Sequence, residues 1–137
     1  MSEPERPPLR IAAAVIVRDG RVLVQTRPEG THYAGYWEFP GGKIEDGEEP
    51  AACAVRECAE ELRLEVEPGE VYETVEWDYE VRFVHVTFVR CRLTGNAEPA
   101  PQDGQEVLWA DAEDLARLTF LPANASVLRR LETDLRR

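Results

Sequence analysis

The 137-residue chain is short of several residue types, and each shortage removes a class of protein. It has a single lysine, Lys43, and its sixteen basic residues face twenty-seven acidic ones. The formal charge of −11 works against long nucleic acids, whose affinity comes largely from cationic contacts to phosphate. It leaves room for a small phosphorylated ligand, provided a bound cation reverses the field locally. Cysteine is scarce: Cys53, Cys58 and Cys91 are an odd number without CxxC spacing. That argues against a disulfide framework or a zinc site and fits a reducing cytoplasm, the expected location. No apolar run approaches the ~20 residues needed to cross a bilayer, so no membrane partner is expected. The opening MSEPERPP has no apolar stretch of the kind a secretory signal needs. Residues 1–8 are expected to be a loose, disordered tail and 9–137 a single domain.

What is present is enough for a core, with 43% hydrophobic residues. Segments 10–17 (RIAAAVIV) and 21–26 (RVLVQT) are β-branched runs around Arg18-Asp19-Gly20. Asp-Gly in that setting predicts a hairpin, because both central positions of its turn take positive φ. Tyr36–Phe39 predicts a short strand that stops at Pro40-Gly41-Gly42, and 63–70 reads as a charged connector closed by Pro68-Gly69. Alternation predicts strands over 71–79 and 81–93, with Val71, Glu73, Val75, Trp77 and Tyr79 on one face of the first. A strand follows at 106–110, then a helix over 112–118 capped by Asp111 and an amphipathic helix over 123–135 after Pro122. The order is that of an α/β protein, a mixed sheet packed between helices.

The helix expected over 50–62 (PAACAVRECAEEL) carries the chemistry, with Pro50 suited to its first turn. With Glu57 at zero and about 100° per residue, Glu57, Glu60 and Glu61 share an arc of about 100°. Ala51, Ala52, Val55, Cys58, Ala59 and Leu62 fall on the other side, so a core face is expected opposite an acidic one. Arg56 lies at the flank, within reach of Glu60. Acidic helix faces are commonly just solvated, but this cluster runs against electrostatic preference. Like charges three and four apart cost about 0.2–0.5 kcal/mol each, no lysine on the helix relieves them, and the macrodipole disfavours anions toward its C-terminus. Converging oxygen donors are what a hard divalent cation takes. Just upstream, Gly41-Gly42 would let backbone approach a ligand, although a glycine pair also suits an ordinary turn. Lys43 supplies the one ammonium, and Glu48 lies two residues before the helix.

Gly42, five residues, Glu48, seven residues, then Arg56-Glu57-Cys58-Ala59-Glu60-Glu61 resemble the signature of the Nudix hydrolases, which spans 23 positions from Gly42 to Leu64. Cys58 stands where the family has an aliphatic residue, and Arg63 where it has the glycine that ends the helix in a left-handed turn. Beyond the signature, Trp37–Glu45 and Leu121-Pro122-Ala123-Asn124 are similar to the MutT-like branch. The resemblance implies an α/β/α sandwich and a metal-dependent nucleoside triphosphate pyrophosphohydrolase. It implies that the Gly41 carbonyl, Glu57, Glu60 and Glu61 hold Mg²⁺ or Mn²⁺, that Arg27 contacts phosphate and that Asn124 reads the base. Asp103, or alternatively Glu106, would be a loop acid near the metal–nucleotide complex. Glu57 would be positioned by Arg56, with Glu48 or Asp103 assisting proton removal; Glu60 belongs to the same catalytic group.

On the substrate side, Glu38 and Lys43 lie in the matching segment, and His32 sits in the loop near Arg27. Tyr36, Trp37, Phe39, Trp77 and Tyr79 are stacking candidates. Asn124 would equally serve as an N-cap of the last helix. His85 and the cysteines read as core residues. The expected partner is a small nucleotide, an oxidised purine such as 8-oxo-dGTP, with nucleotide-pool sanitation as the role. Cytidine or methylated pyrimidine nucleotides are the alternative, and a non-catalytic nucleotide-binding module is the reading of a different class. The chain is expected to be a monomer or homodimer.

Overall fold

The computed structural model describes residues 7–137. The tail expected over 1–8 lies outside these except for Pro7 and Pro8, which are exposed. The strands are β1 (Leu9–Arg18), β2 (Arg21–Thr26), β3 (Trp37–Glu38), β4 (Gly41–Lys43), β5 (Val66–Asp78), β6 (Phe83–Leu93) and β7 (Val107–Ala110). The helices are α1 (Pro50–Leu62), α2 (Ala112–Arg117) and α3 (Ala125–Asp134), the last preceded by a 3₁₀ turn at Pro122–Asn124. Asp19 and Gly20 take φ of 52° and 75°, as the hairpin signal between β1 and β2 required.

β1 organises the sheet. It runs parallel to β6, from Leu9 opposite Val84 to Ile16 opposite Cys91, and antiparallel to β4 on its other side. β5 pairs antiparallel with the outer edge of β6, while β2 takes β3 and β7 as antiparallel partners. One core lies under α1, where Ala54, Cys58 and Leu62 meet Ile16, Leu23 and Val89. The other lies under α2 and α3, where Leu115, Val127 and Leu131 meet Val15, Val24 and Phe88. Even and odd positions of β6 divide between these cores, so the mixed sheet between helices is the expected sandwich. Asp111 caps α2 with a reciprocal pair: its carboxylate accepts from the Asp114 N–H (2.9 Å), and Asp114 accepts from the Asp111 N–H (3.1 Å).

Several expectations need correction. Residues 66–70 are strand, not connector, with register shifts between Pro68 and Val71 and between Val71 and Glu73. Pro68 is tolerated because β5 is an edge strand beside a bulge, where an absent N–H costs no ladder bond. The second shift breaks the alternation: Tyr72 joins the core with Val75, while Val71 is 55% exposed. Gly41-Gly42-Lys43 is strand rather than turn. The last helix begins at Ala125, because Pro122–Asn124 winds as 3₁₀. His85, expected in the core, is only half-buried. The three cysteines are buried, as expected.

Candidate active site

The site begins with a notch made by missing side chains. β4 lies so close to β1 that a Cβ on Gly41 would fall 2.2 Å from the Ala12 carbonyl oxygen. A Cβ on Gly42 would fall 2.4 Å from the Glu57 carboxyl carbon. Glycine here serves close approach rather than a bend. The notch also turns α1. Its buried stripe is Cys53, Ala54, Cys58 and Leu62, while Ala52 and Ala59 of the expected core face are exposed. Glu57 and Glu61 therefore point along the inner edge of the helix, against the glycines, rather than out to solvent. Only Glu60 of the three carboxylates is exposed.

Arg56 is the hub of this end. Its Nη1 donates to Glu57 and Glu60, each at 2.9 Å. Its Nε and Nη2 grip Glu48 at 2.8 and 2.9 Å, and Nη2 also reaches the Lys43 carbonyl at 3.0 Å. The Arg56 hydrogen bonds, with a backbone N–H from Glu45, hold Glu48 down at a pKa of about 2. Among the described residues no arginine pairs with Glu61. Its carboxylate accepts from the Gly41 N–H (3.2 Å) and the Gln25 amide (3.3 Å), and burial, reinforced by Glu57 and Glu38, pushes its pKa up to about 8. Burial also raises Glu57, against the pull of Arg56. At the far end of α1, Arg63 adopts the left-handed conformation itself (φ 57°). Its N–H bonds the Ala59 carbonyl, and the Leu64 N–H bonds that of Cys58.

From the notch a cleft of about 420 Å³ runs across the sheet toward α3. Gly41, Gly42 and Glu61 line one end, Tyr79, Leu121 and Asn124 the other, and Arg27, Glu38 and Lys43 lie along it. Arg27 pairs with Glu38 at 3.0 Å and donates from Nε to the His32 carbonyl at 2.7 Å. Burial raises the Glu38 pKa in spite of Arg27. Asn124 stands at the N-cap position of α3 but makes no capping bond; it is 5% exposed and its Nδ2 has no partner among the described residues. Asn124 is also one of the residues lining the cleft.

The structure thus gathers Gly41, Glu61, Arg27, Glu38, Lys43 and Asn124 around one cleft, with Glu57 against Gly42 and networked through Arg56 to Glu48 and Glu60. It does not bring in Asp103, which lines a neighbouring hollow with Glu106 and Gln105 that shares only Arg27 and Pro28 with the main cleft. The His32 side chain is exposed, and its carbonyl makes the contact to Arg27. Among the described residues no three acidic, histidine or cysteine side chains stand in a geometry that would hold a metal ion. Gln25 went unnoticed in the sequence. It is 2% exposed, its Nε2 bridges Glu38 (3.4 Å) and Glu61 (3.3 Å), and its Oε1 is unpartnered. The signal was a lone amide inside the apolar run 21–26.

The NUDIX domain family matches residues 8–131, and the chain belongs to that family. It is a Nudix hydrolase, a pyrophosphohydrolase acting on phosphoanhydrides. It is 32% identical over 124 residues to an 8-oxo-dGTP diphosphatase of Haemophilus influenzae, covering 90% of each chain. It is 31% identical over 120 residues to a CTP pyrophosphohydrolase of Escherichia coli, covering 88% of each. Its fold matches the crystal structure of a MutT protein from Methanosarcina mazei with a TM-score of 0.82 at 21% identity, over 98% of this chain and 100% of that one.

Proposed function

We propose that the chain is a metal-dependent nucleoside triphosphate pyrophosphohydrolase that releases pyrophosphate from oxidised purine nucleotides such as 8-oxo-dGTP. The observation that carries this reading is one cleft lined by the half-buried Glu61 carboxylate beside Gly41 and Gly42 and also by the buried Asn124, whose Nδ2 has no partner among the described residues. An amide offers a donor and an acceptor side by side, the complement of a purine edge. The Haemophilus relative supports the oxidised purine. The Escherichia relative supports a second reading, a cytidine nucleotide, at nearly equal identity.

The donor chemistry fits Mg²⁺ or Mn²⁺: carboxylate oxygens crowded against glycine backbone, one of them with its pKa driven up to about 8 by burial and, after it, by the neighbouring Glu57 and Glu38. Glu57, Glu60 and Glu61 with the Gly41 carbonyl would hold the ion, Glu57 and Glu60 exchanging Arg56 for it. When bound, the cation neutralises polyphosphate oxygens and acidifies a water. Arg56 presets Glu57 and Glu60, and Glu48 anchors Arg56. With a pKa of about 2 and both oxygens on Arg56, Glu48 is a weak proton acceptor, so its part is positioning rather than the base step. Arg27 and Lys43 supply positive charge along the cleft for the phosphates, Arg27 leaving Glu38 to do so. Asp103 and His32 contribute only if the loops bearing them close over the substrate.

Pyrophosphate release from a panel of nucleotides with Mg²⁺ or Mn²⁺ tests the proposal. Oxidised dGTP should lead. Leading cytidine nucleotides would favour the second reading, and no release from any nucleotide would contradict both.

A further inference from the structure

The selective end of the cleft is assembled from three distant parts of the chain, and one side chain joins them. Asn124 lies on the Pro122–Asn124 turn, whose Ala123 N–H donates to the Tyr79 hydroxyl at 3.0 Å. Tyr79 comes from the β5–β6 connection, which is itself tightly fixed. The Tyr79 N–H bonds the Arg82 carbonyl (3.0 Å), the Val81 N–H bonds the Tyr79 carbonyl (2.7 Å), and Asp78 accepts from the Glu80 N–H (2.8 Å). The Tyr79 ring meets the edge of Tyr33, centroids 5.4 Å apart. Tyr33, on the 28–35 loop, is held in the left-handed region (φ 61°) with its ring against Tyr36 at 5.0 Å. A bulky residue takes that conformation only when its surroundings impose it.

We propose that Tyr79 is a positioning residue for base selection: its hydroxyl fixes the Asn124 amide through Ala123, and its ring fixes the facing lip through Tyr33. This rests on the reading that the cleft takes a nucleotide base. Phenylalanine at 79 keeps the ring and removes the hydroxyl, leaving the Ala123 N–H without its acceptor. The 122–124 turn is then free to seek another partner, and the amide loses its fixed place.

Calorimetric titration of 8-oxo-dGMP, dGMP and dCMP into metal-free protein reads this directly. In wild type one nucleotide is preferred. In Tyr79→Phe the preferred nucleotide should lose about tenfold in affinity while the others change little, so that selectivity collapses. A thermal melt verifies that the variant is folded. Because Tyr79 acts through Asn124, the double variant Y79F/N124A should match N124A alone. An unchanged affinity ratio in Y79F, or losses that multiply in the double variant, would overturn the proposal while leaving the nucleotide reading intact. Failure of wild type to bind any of the three would overturn both.

Discussion

The two ends of the cleft solve opposite problems. At the notch every carboxylate is crowded, and all but Glu61 are held by one guanidinium; Glu61 rests on an N–H and an amide. At the α3 end the Asn124 residue is buried and its Nδ2 has no partner among the described residues. An end rich in charge suits the part of a substrate common to all nucleotides, the polyphosphate. An end with one orphaned polar group suits the part that differs, because a buried amide left unpaired penalises the wrong base. Under the proposed function, chemistry and choice fall on different elements, α1 with β4 and the α2–α3 connection, and they should fail separately.

That separation is tested most severely by Glu57→Gln, which keeps the shape and removes the charge. Turnover should drop roughly 10²–10⁴-fold with unchanged circular dichroism and unchanged nucleotide preference in the residual activity. Near-normal pyrophosphate release would remove Glu57 from the mechanism. The adjacent glycines should then part company. Gly42→Ala pushes against the flexible end of Glu57, so activity should fall about 10²-fold with the fold retained. Gly41→Ala pushes against backbone of β1, so the melting temperature should fall as well. Equal effects of the two on stability would contradict this account of the notch. At the other end, Asn124→Ala should cost about tenfold in kcat/KM for the preferred nucleotide and less for the others.

Smaller effects concern stability. The Glu61 pKa is raised from an ordinary 4.5 to about 8, so folding favours its protonated form. Its stabilising contribution is complete below pH about 4.5 and is lost as pH rises toward 8. Glu61→Gln, which mimics the protonated carboxyl, should melt higher than wild type above pH about 8 in chelator, and the gap should close on acidification. A gap independent of pH would show that burial does not govern this carboxyl. Last, Arg63→Gly should raise stability by about 1 kcal/mol, because glycine takes the left-handed C-cap without the Cβ penalty. A lower melting temperature would contradict the strain assigned to Arg63.

These elements also mark where the sequence was legible. Asp19-Gly20, Asp111 with Asp114, and the period of α1 act over a few residues, and each has the structure its local pattern predicts. Glu57, Glu60 and Glu61 were found because their spacing is a property of one helix. Which way that helix faces was not. The wheel placed Ala52 and Ala59 inward, whereas the notch at Gly41-Gly42, a feature of another strand, draws Glu57 and Glu61 in. The bulges of β5 shift the alternation at Val71 and Tyr72, and a period-two reading has no means of seeing an extra residue. Gln25 and the Tyr79 hydroxyl gain their parts only from partners 13, 36 and 44 positions away. Asn124 was ambiguous between cap and ligand because the choice depends on the 3₁₀ turn that Pro122 opens.

The claim on which the rest stands is that carboxylates sunk beside a glycine strand form a seat for a divalent cation. Titrating Mn²⁺ into wild type, E57Q and E61Q, with uptake followed by electron paramagnetic resonance, addresses it without substrate. Wild type should bind, and each variant should lose about 10–100-fold in affinity. The same affinity in all three proteins would place the cation elsewhere and end the account.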